Sequence, residues 1–433
     1  MAQEEVNIFW MRRDLRLHDN HGLQKALAAG KPVVVLFIFD KDILEPLPSR
    51  DARLQFIWQE LQAIKGQLQK LGSDLLVYHD QVEEAWAKIT ENYAIHTVFS
   101  NRDYEPHARK RDQHIYQVLA EKGIPFKGYK DQVIFEKSEI VKDDAKPYVV
   151  YTPYMKKYKS ILSTKDFQAH DCSAENYKKL SGLKWYSLEE MGFESFPFSY
   201  PDRNFNEEII RNYDQTRDIP SIRGTSRLSL HLRFGTISIR RLAESARAWN
   251  AKYFNELIWR DFYQQVLYHF PHSFDHSFRR DYDLIEWEQN EDHFKAWCSG
   301  KTGYPMVDAG MRELNQTGFM HNRVRMVVAS FLCKHLLIDW RRGEAYFAEK
   351  LLDYDAASNV GGWQWAAGSG VDAAPYFRVF NPELQLKKFD PELKYIKKWV
   401  PEYGSMQYPK PIVNHKDARE RALARYKSVL KKD

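Results

Sequence analysis

Short apolar runs alternate with helix-length segments in the first part of the chain. The runs are Val6 to Trp10, Val33 to Asp40, Asp74 to His79 and Thr97 to Ser100. Apolar residues from Leu54 to Leu71 recur at spacings of three and four, and Gly72 follows them, which is typical of a helix with a glycine cap. Strands that alternate with helices indicate a parallel sheet. We therefore predict an α/β, doubly wound parallel-sheet domain over residues 1–130.

The pattern changes after residue 130. Residues 131–204 contain many prolines, lysines, tyrosines and serines without a sustained period, so we predict a long interdomain linker there. Strand patterns are absent after that point. Long helical patterns replace them, for example Asn255 to Tyr268 and Arg323 to Trp340. The sequence therefore predicts an all-helical second domain over residues 205–433.

Composition limits the class of protein. Of the 433 residues, 43% are hydrophobic and 28% are charged, a globular balance that excludes a disordered chain. The longest apolar run, Val33 to Phe39, is far shorter than the ~20 residues of a membrane-spanning helix. Three cysteines without CxxC spacing indicate neither a disulfide framework nor a zinc site. We predict a soluble, cytoplasmic protein that does not bind a membrane.

Charge and aromatic residues add two points. The formal net charge of +5 allows a basic surface for nucleic acid without requiring one. Of the 12 tryptophans, most follow residue 240. The two halves of the chain therefore differ chemically.

The segment Gly224-Thr-Ser-Arg-Leu-Ser229 combines a glycine and hydroxyl side chains before a helical pattern. Free backbone N–H groups and short donors at a helix N-terminus suit a phosphate. Ordinary helix capping explains the same residues. Both interpretations stay open on this segment alone.

On the helix predicted after Asn255, four side chains share one face at spacings of three and four. They are Glu256, Trp259, Arg260 and Tyr263. A carboxylate, an indole, a guanidinium and a phenol together suit a flat polar ligand such as a base. The alternative is a surface ion pair between Glu256 and Arg260, with Trp259 half in the core.

The segment from Asp353 to Trp365 gathers two acids, an amide, a Gly-Gly pair and two tryptophans. In a helix Trp363 and Trp365 would diverge by ~200°, so we predict that one indole faces the interior and the other a ligand. No third carboxylate or histidine lies at ligand spacing, so we predict no metal site. A buried arginine needs an acid partner, and Asp353 is the candidate partner of Arg325.

Taken together, these segments resemble the photolyase/cryptochrome family, and most of all bacterial class I cyclobutane pyrimidine dimer photolyases. The motifs that carry the resemblance are Trp10-Met-Arg-Arg-Asp-Leu-Arg16, Gly224-Thr-Ser-Arg-Leu-Ser229, Glu256-Leu-Ile-Trp-Arg-Asp-Phe-Tyr263, the block from Gly303 to Met326 and Asp353 to Trp365. They occur in order over almost the whole chain. The resemblance favours the ligand-binding interpretation of each segment.

The resemblance implies an N-terminal antenna domain and a helical domain that binds FAD. It implies light-dependent DNA repair, in which photoexcited, fully reduced FAD passes an electron to a cyclobutane pyrimidine dimer flipped out of UV-damaged DNA, so that the dimer splits. It further implies a monomer that needs no metal.

The resemblance also implies roles for individual residues. FAD would be bound by Tyr213, Thr225, Ser226, Arg227, Leu228, Ser229, Arg325, Asp353, Asp355 and Asn359. The catalytic pocket would comprise Glu256, Trp259, Asn322, Met326, Asn359 and Trp365, with Asn359 beside flavin N5. DNA would be bound by Arg217, Glu256, Trp259, Arg260, Asn322, Arg323, Arg378 and Gln385. Electrons would reach the flavin from the surface through Trp287, Trp340 and Trp363.

Two alternatives within the family can be weighed from the sequence. The (6-4) photolyases carry histidines where this chain has Asn322 and Met326, which disfavours repair of that lesion. Cryptochromes, which sense blue light without repairing DNA, often replace the asparagine near N5 by Asp or Cys, whereas this chain has Asn359. Glu105 matches a folate-binding acid of some members, so an antenna methenyltetrahydrofolate is expected, with a deazaflavin, a flavin or no antenna chromophore as the alternatives.

Overall fold

The computed structural model describes residues 4–173 and 176–430. The chain divides into two compact units. The first consists of Met1–Glu136, Leu162–Asn204 and Arg227–Ser245, and the second of Lys137–Ile161, Phe205–Ser226 and Ala246–Asp433. The predicted linker is thus shared between the two units, and a segment after residue 205 belongs to the first.

The strands are β1 (Val6–Met11), β2 (Val33–Asp40), β3 (Leu75–Asp80), β4 (Ile95–Asn101) and β5 (Phe126–Tyr129). The α-helices are α1 (His21–Leu27), α2 (Lys41–Leu44), α3 (Ala52–Lys70), α4 (Val82–Asn92), α5 (Pro106–Glu121), α6 (Tyr151–Ile161), α7 (Glu207–Arg211), α8 (Tyr213–Thr216), α9 (Ser229–Arg233), α10 (Ile239–Trp249), α11 (Ala251–His269), α12 (Glu291–Cys298), α13 (Pro305–Thr317), α14 (Asn322–Ser330), α15 (Trp340–Lys350), α16 (Ala356–Ala367), α17 (Pro382–Phe389), α18 (Lys394–Trp399) and α19 (His415–Leu430). Four short 3₁₀ segments and one π-helical segment, Phe331–His335, complete the described helices.

The first unit is built on a parallel five-stranded sheet in the order β3-β2-β1-β4-β5. Ile8 of β1 lies opposite Val34 of β2 and Val98 of β4. All three side chains are fully buried, as expected for the centre of a parallel sheet that is covered on both faces. The predicted doubly wound fold is confirmed. The sequence pattern missed β5, which is four residues long and only partly buried.

Helix α3 begins and ends where the sequence indicated. The Asp51 side chain accepts hydrogen bonds from two backbone N–H groups of the first turn, at 2.8 and 3.1 Å. At the other end Gly72 adopts a φ of 73°, a left-handed conformation that glycine adopts without a steric penalty. The apolar stripe of α3, including Leu61 and Leu68, is buried.

The predicted linker contains a helix that the sequence analysis did not identify. In α6 the side chains of Tyr151, Tyr154 and Tyr158 are buried in the second unit. Their spacing of three and four is a helical period, but lysines and a proline between them obscured it. Tyr151 of this helix supports Trp259, a predicted site residue, by stacking on its ring.

A single helix predicted from Arg323 to Trp340 is in fact two helices. The π-helical segment Phe331–His335 interrupts it, and Leu337 adopts a left-handed φ of 50°. Asp339 then caps α15 by accepting a backbone hydrogen bond at 3.0 Å. Residues 336–338 are nevertheless buried and apolar, so the hydrophobic pattern continues across the break.

The core of the second unit is rich in tryptophan. Trp297, Trp340 and Trp363 belong to one buried cluster, and Trp287 packs at its margin. Among the described residues, no helix combines the length and apolar character needed to cross a membrane.

A histidine pair, of which His335 is buried and His415 partly exposed, joins the π-helical segment to α19. His335 Nε2 lies 2.8 Å from His415 Nδ1, and burial lowers the pKa of His335 to about 3 from the usual 6.5. Between about pH 3 and pH 6.5, the His335 side chain is protonated in the unfolded chain but neutral in the folded one. Stability is therefore lost as the pH falls below 6.5, by about 2 kcal/mol at pH 5.

Replacing His335 by glutamine is expected to remove most of this acid sensitivity. The measurement is urea unfolding at pH 7 and at pH 5. The unfolding free energies at the two pH values should differ less in the variant than in the parent protein. His272→Gln is the control, because that side chain is exposed and its loss should leave the pH dependence unchanged. Equal pH dependence in the parent and the His335 variant would refute the assignment.

Candidate functional site

A cavity of about 440 Å³ opens in the second unit between α11, α14, α15 and α16. Many of the predicted site residues line it together. They are Arg217, Glu256, Trp259, Arg260, Asn322, Arg325, Met326, Asp353, Asp355, Asn359, Trp363 and Trp365. Residues from four separate stretches of sequence therefore meet at one place.

Helix α16 forms one wall and runs straight through the Gly-Gly pair. Asp355 caps its start by accepting a hydrogen bond from the Ser358 N–H at 3.0 Å. A Cβ atom on Gly361 would lie 2.4 Å from the Tyr263 ring, whereas one on Gly362 would meet only open space. Gly361 thus allows α16 to pack closely against α11. Gly362 keeps part of the cavity wall free of side chains.

The two tryptophans of α16 pack against different partners, as the helical period predicted. Trp363 is almost completely buried, with its ring centroid 5.0 Å from Phe347 and 6.0 Å from Trp297. Trp365 is partly exposed and lies 6.4 Å from Phe380. One indole is therefore part of the core, and the other is available to a ligand.

The predicted pair of Arg325 and Asp353 is present at the cavity. Arg325 Nη2 donates to both carboxylate oxygens of Asp353, at 3.0 and 3.1 Å. Its Nε donates to the Met320 carbonyl at 2.8 Å. The arginine thereby fixes the carboxylate at the edge of the cavity.

Glu256 forms an ion pair, but not with Arg260, the partner that the sequence offered as an alternative. Glu256 pairs with Arg217, while Arg260 lies 3.8 Å from its neighbour Asp261. The Arg217 guanidinium also stacks 5.0 Å from the Tyr213 ring. The carboxylate of Glu256 is thus held from a different helix.

Trp259 is supported by a residue that the sequence analysis did not select. The Tyr151 ring stacks on it with a centroid distance of 3.7 Å and an interplanar angle of 7°. The Tyr151 hydroxyl donates to the Asn255 carbonyl at 2.8 Å. This contact fixes the plane of the Trp259 indole. No local sequence motif indicates this contact, because Tyr151 and Asn255 are 104 residues apart in the sequence.

Glu344 is the second functional candidate that the sequence did not reveal. Asn359 Nδ2 donates to Glu344 Oε1 at 3.0 Å and to its backbone carbonyl at 3.3 Å. The Asn359 amide is therefore oriented with its nitrogen toward α15. Burial raises the pKa of Glu344, and the hydrogen bonds from Asn359 and Tyr354 oppose that rise.

The glycine of the candidate phosphate segment lies against α8. A Cβ on Gly224 would lie 2.6 Å from the Thr216 carbonyl oxygen, so only glycine fits there. Ser226 Oγ lies 2.8 Å from the Tyr253 hydroxyl, and the Tyr253 ring meets the Tyr213 ring edge-on at 5.0 Å. The segment is thus anchored to a tyrosine pair.

Other predicted residues lie outside the lining of this cavity. Arg378 is exposed and Gln385 is partly exposed, whereas Trp340 and Trp287 lie in or beside the core cluster. Thr225 and Ser226 belong to the second unit, whereas Arg227, Leu228 and Ser229 belong to the first, where Ser229 begins α9. Glu105, in the first unit, pairs with Arg13 and Arg233.

Sequence comparison places this arrangement among known proteins. Residues 7–172 match the family described as DNA photolyase, and residues 253–407 match the FAD binding domain of DNA photolyase. A deoxyribodipyrimidine photo-lyase of Synechococcus sp. is 36% identical over 98% of this chain and 96% of that protein. The chain belongs to the DNA photolyase family. The resemblance predicted from the motifs is confirmed.

Solved structures of photolyases share the fold of this family member. A bacterial class III photolyase from Agrobacterium tumefaciens is 34% identical, covers 100% of this chain and 99% of its own, and has a TM-score of 0.87. An archaeal photolyase from Sulfolobus tokodaii with two FAD molecules is 36% identical, covers 98% and 100%, and has a TM-score of 0.85. Membership of class I within the photolyases stays a prediction.

Proposed function

We propose that this photolyase is a deoxyribodipyrimidine photo-lyase, which uses light and FAD to split cyclobutane pyrimidine dimers in DNA. The observation that carries the proposal is one cavity that contains both an aromatic pair, Trp259 and Trp365, and the polar groups Asp353, Asp355 and Asn359. The cryptochrome alternative has less support, because the matching curated relatives carry photolyase names.

The residues of the cavity fit FAD. Asp353 and Asp355 offer acceptors for N–H groups of the cofactor, and the open side of Gly362 leaves room for a flat ring. Asn359 offers an amide, whose nitrogen already bonds to Glu344. When bound and fully reduced, FAD supplies light absorption and an electron for the lesion.

The aromatic residues of the cavity would receive the extruded dimer. Leaving the DNA stack costs a few kcal/mol, and less for a damaged step, while stacking on an aromatic side chain returns ~1–3 kcal/mol per base. Because Tyr151 already fixes the Trp259 plane, little side-chain freedom is lost on binding. Met326 and Asn322 would contribute the rest of the lesion pocket.

Arginines near the cavity would bind the phosphates of DNA. Arg323 pairs with Asp218 at 2.7 Å, so a phosphate would compete with an acid already in place. Arg217 and Arg260 line the cavity, and we assign Arg378 and Gln385 to the same DNA surface. Affinity should fall steeply with salt and depend little on sequence.

The decisive experiment uses a defined oligonucleotide that carries one thymine dimer. Purified, dithionite-reduced protein is illuminated with near-UV light, with a dark sample and a (6-4) oligonucleotide beside it. Light-dependent restoration of the cyclobutane dimer alone is the expected result. Bound, reducible FAD without any repair would refute the proposal and favour a light sensor.

Glu344 gives a further prediction. Glu344→Gln introduces an amide that competes for the orientation of Asn359, which we place beside flavin N5. We expect the chemically reduced flavin to reoxidise in air about three- to tenfold faster, the equivalent of one hydrogen bond. Stopped-flow absorbance measures this rate. Glu349→Gln, on the exposed side of the same helix, should leave it unchanged, and equal rates in both variants would contradict the assignment.

We further propose that the protein is a cytoplasmic monomer and that Glu105 takes part in binding an antenna chromophore. Its cysteines are unpaired, as expected in a reducing compartment. The Glu105 carboxylate is engaged by two arginines, so methenyltetrahydrofolate or a deazaflavin would have to share it. Size-exclusion chromatography and the absorption spectrum of the purified protein test both points.

A further inference from the structure

The first unit contains a second cavity, of about 450 Å³, that the proposed repair reaction does not use. It lies beyond the carboxyl end of β5 and beside the start of α1. The side chains that matter here are His21, Lys25, Lys130, Lys165, His170 and Arg240. Glu105, the predicted antenna residue, is not part of its lining.

The position is one at which doubly wound sheets bind ligands. Such sheets take them in the crevice beyond the carboxyl ends of their strands, where the strand order reverses. Here that reversal, between β1 and β4, is filled by the chain itself. Asn101 donates to the Asp14 carboxylate at 2.6 Å and to Asn20 Oδ1 at 2.8 Å. The cavity lies beside this network, at the edge strand β5, rather than at the reversal itself.

The lining carries an excess of positive charge. Three lysines and one arginine face two acids, Asp166 and Asp171. Both acids already accept hydrogen bonds, from Ser163 at 2.8 and 2.9 Å and from Ser173 at 2.8 Å. In the part of the chain that the structure describes, the side chains of Lys25 and Lys165 form no ion pair or hydrogen bond. The lining alone therefore has a formal charge of +2 with both histidines neutral, and one of its positive charges, that of Arg240, is paired with Asp19 and Asp131 behind the lining.

Arg240 supplies a donor that is already in place. Its side chain is 6% exposed. Its Nε donates to Asp19 at 2.8 Å, and its Nη2 donates to the Asp19 carbonyl and to Asp131. Its Nη1 donates to none of the described residues, and the residue lines the cavity. Arginine is the side chain best suited to phosphate.

The two histidines form a flat, uncharged wall. Their rings stack with centroids 4.0 Å apart and an interplanar angle of 6°. Burial lowers the pKa of His170 to about 4 and also lowers that of His21. At neutral pH the pair therefore offers ring surface rather than charge.

We propose that this cavity binds a small phosphorylated molecule of mononucleotide size. A phosphate monoester carries a charge of about −2 at neutral pH, which is opposite in sign to the excess charge of the lining lysines. Lys25 and Lys165 bind the phosphate, Arg240 Nη1 donates to it from the interior, and the histidine wall contacts the organic part. The proposal does not depend on DNA repair.

The test is titration calorimetry of the full-length, FAD-loaded protein with AMP, adenosine and inorganic phosphate. We expect AMP to bind at one site, and adenosine to bind at least about tenfold more weakly because it lacks the charged group. The double variant Lys25→Gln/Lys165→Gln should weaken AMP at least about tenfold. Both lysines are exposed, so the fold should persist, and circular dichroism checks this.

The matched control is Lys70→Gln/Lys122→Gln, which removes the same charge from exposed positions of the same unit. It should bind AMP like the parent protein. Absence of saturable binding of both AMP and phosphate would overturn the proposal, as would equal weakening in both double variants. Displacement of AMP by an undamaged oligonucleotide would also overturn it, because the cavity would then belong to a DNA surface.

Discussion

Replacing Trp363 by phenylalanine is expected to slow the photoreduction of bound, oxidised FAD by about 100-fold or more. Of the three tryptophans proposed as an electron relay, Trp363 lines the cavity that we propose for FAD, whereas Trp340 and Trp287 lie in or beside the core cluster. A benzene ring is harder to oxidise than an indole. For a one-electron step, each ~59 mV increase in the potential needed to oxidise the donor lowers the equilibrium constant of electron transfer tenfold.

The measurement is the rate at which blue light bleaches the visible band of oxidised flavin in the presence of an external reductant. Trp297→Phe is the matched control, because this indole is fully buried in the same cluster and lies 6.0 Å from Trp363. It should keep a rate close to that of the parent protein.

Repair by chemically reduced protein separates the relay from the repair step. Trp363→Phe should repair dimers normally once dithionite has reduced its flavin, because the relay only restores the reduced state. Flavin content must be checked, since the indole fills space against Gly343, where a Cβ would lie 2.2 Å from it. Photoreduction at the parent rate would remove Trp363 from the relay.

Hydrophobic periodicity was sufficient to predict much of the fold. The central strands β1 and β2 are long and completely buried, so their apolar runs stand out in the sequence. Strand β5 is short and half-exposed, and the tyrosines of α6 are separated by lysines, so neither gave a clear pattern. Periodicity also cannot detect the break at Leu337, because burial continues across it.

The candidate site was predictable where a helical period or the pairing of opposite charges relates its residues. The helical period placed Trp363 and Trp365 on different faces, and the need of a buried arginine for an acid paired Arg325 with Asp353. Tyr151 was missed because its partner Asn255 lies 104 residues away. Glu344 is only 15 residues from Asn359, but neither a helical period nor charge pairing links a carboxylate to an amide on the next helix. Such contacts depend on tertiary packing, which a local pattern does not encode.

Glu256→Ala is expected to lower the preference of the protein for dimer-containing DNA over undamaged DNA by about tenfold or more. The physical reason lies in its pair with Arg217. An ionised carboxylate accepts hydrogen bonds and cannot donate them, so it would accept from a base N–H, while Arg217 would donate to a carbonyl of the lesion. The pair thus presents one acceptor and one donor to the dimer.

Removing the carboxylate has two consequences that act in the same direction. The lesion loses a charge-assisted hydrogen bond, worth ~1.5–3 kcal/mol. Arg217, whose side chain is only 15% exposed, loses its closest acidic partner and keeps the more distant Asp218, at 4.0 Å. Its guanidinium becomes more available to a phosphate, which raises affinity for undamaged DNA. The ratio of the two dissociation constants therefore changes more than either constant alone.

Fluorescence anisotropy with damaged and undamaged oligonucleotides measures this ratio, and repair per absorbed photon is measured on the same samples. Glu256→Gln keeps an acceptor of similar shape, so it should retain more of the preference than Glu256→Ala. Glu349→Ala removes an exposed carboxylate outside the cavity and controls for net charge. If Glu256→Ala kept both the preference for dimer-containing DNA and the repair yield, the carboxylate would have no part in recognising the lesion. Arg217 would then be the principal polar contact of the lesion.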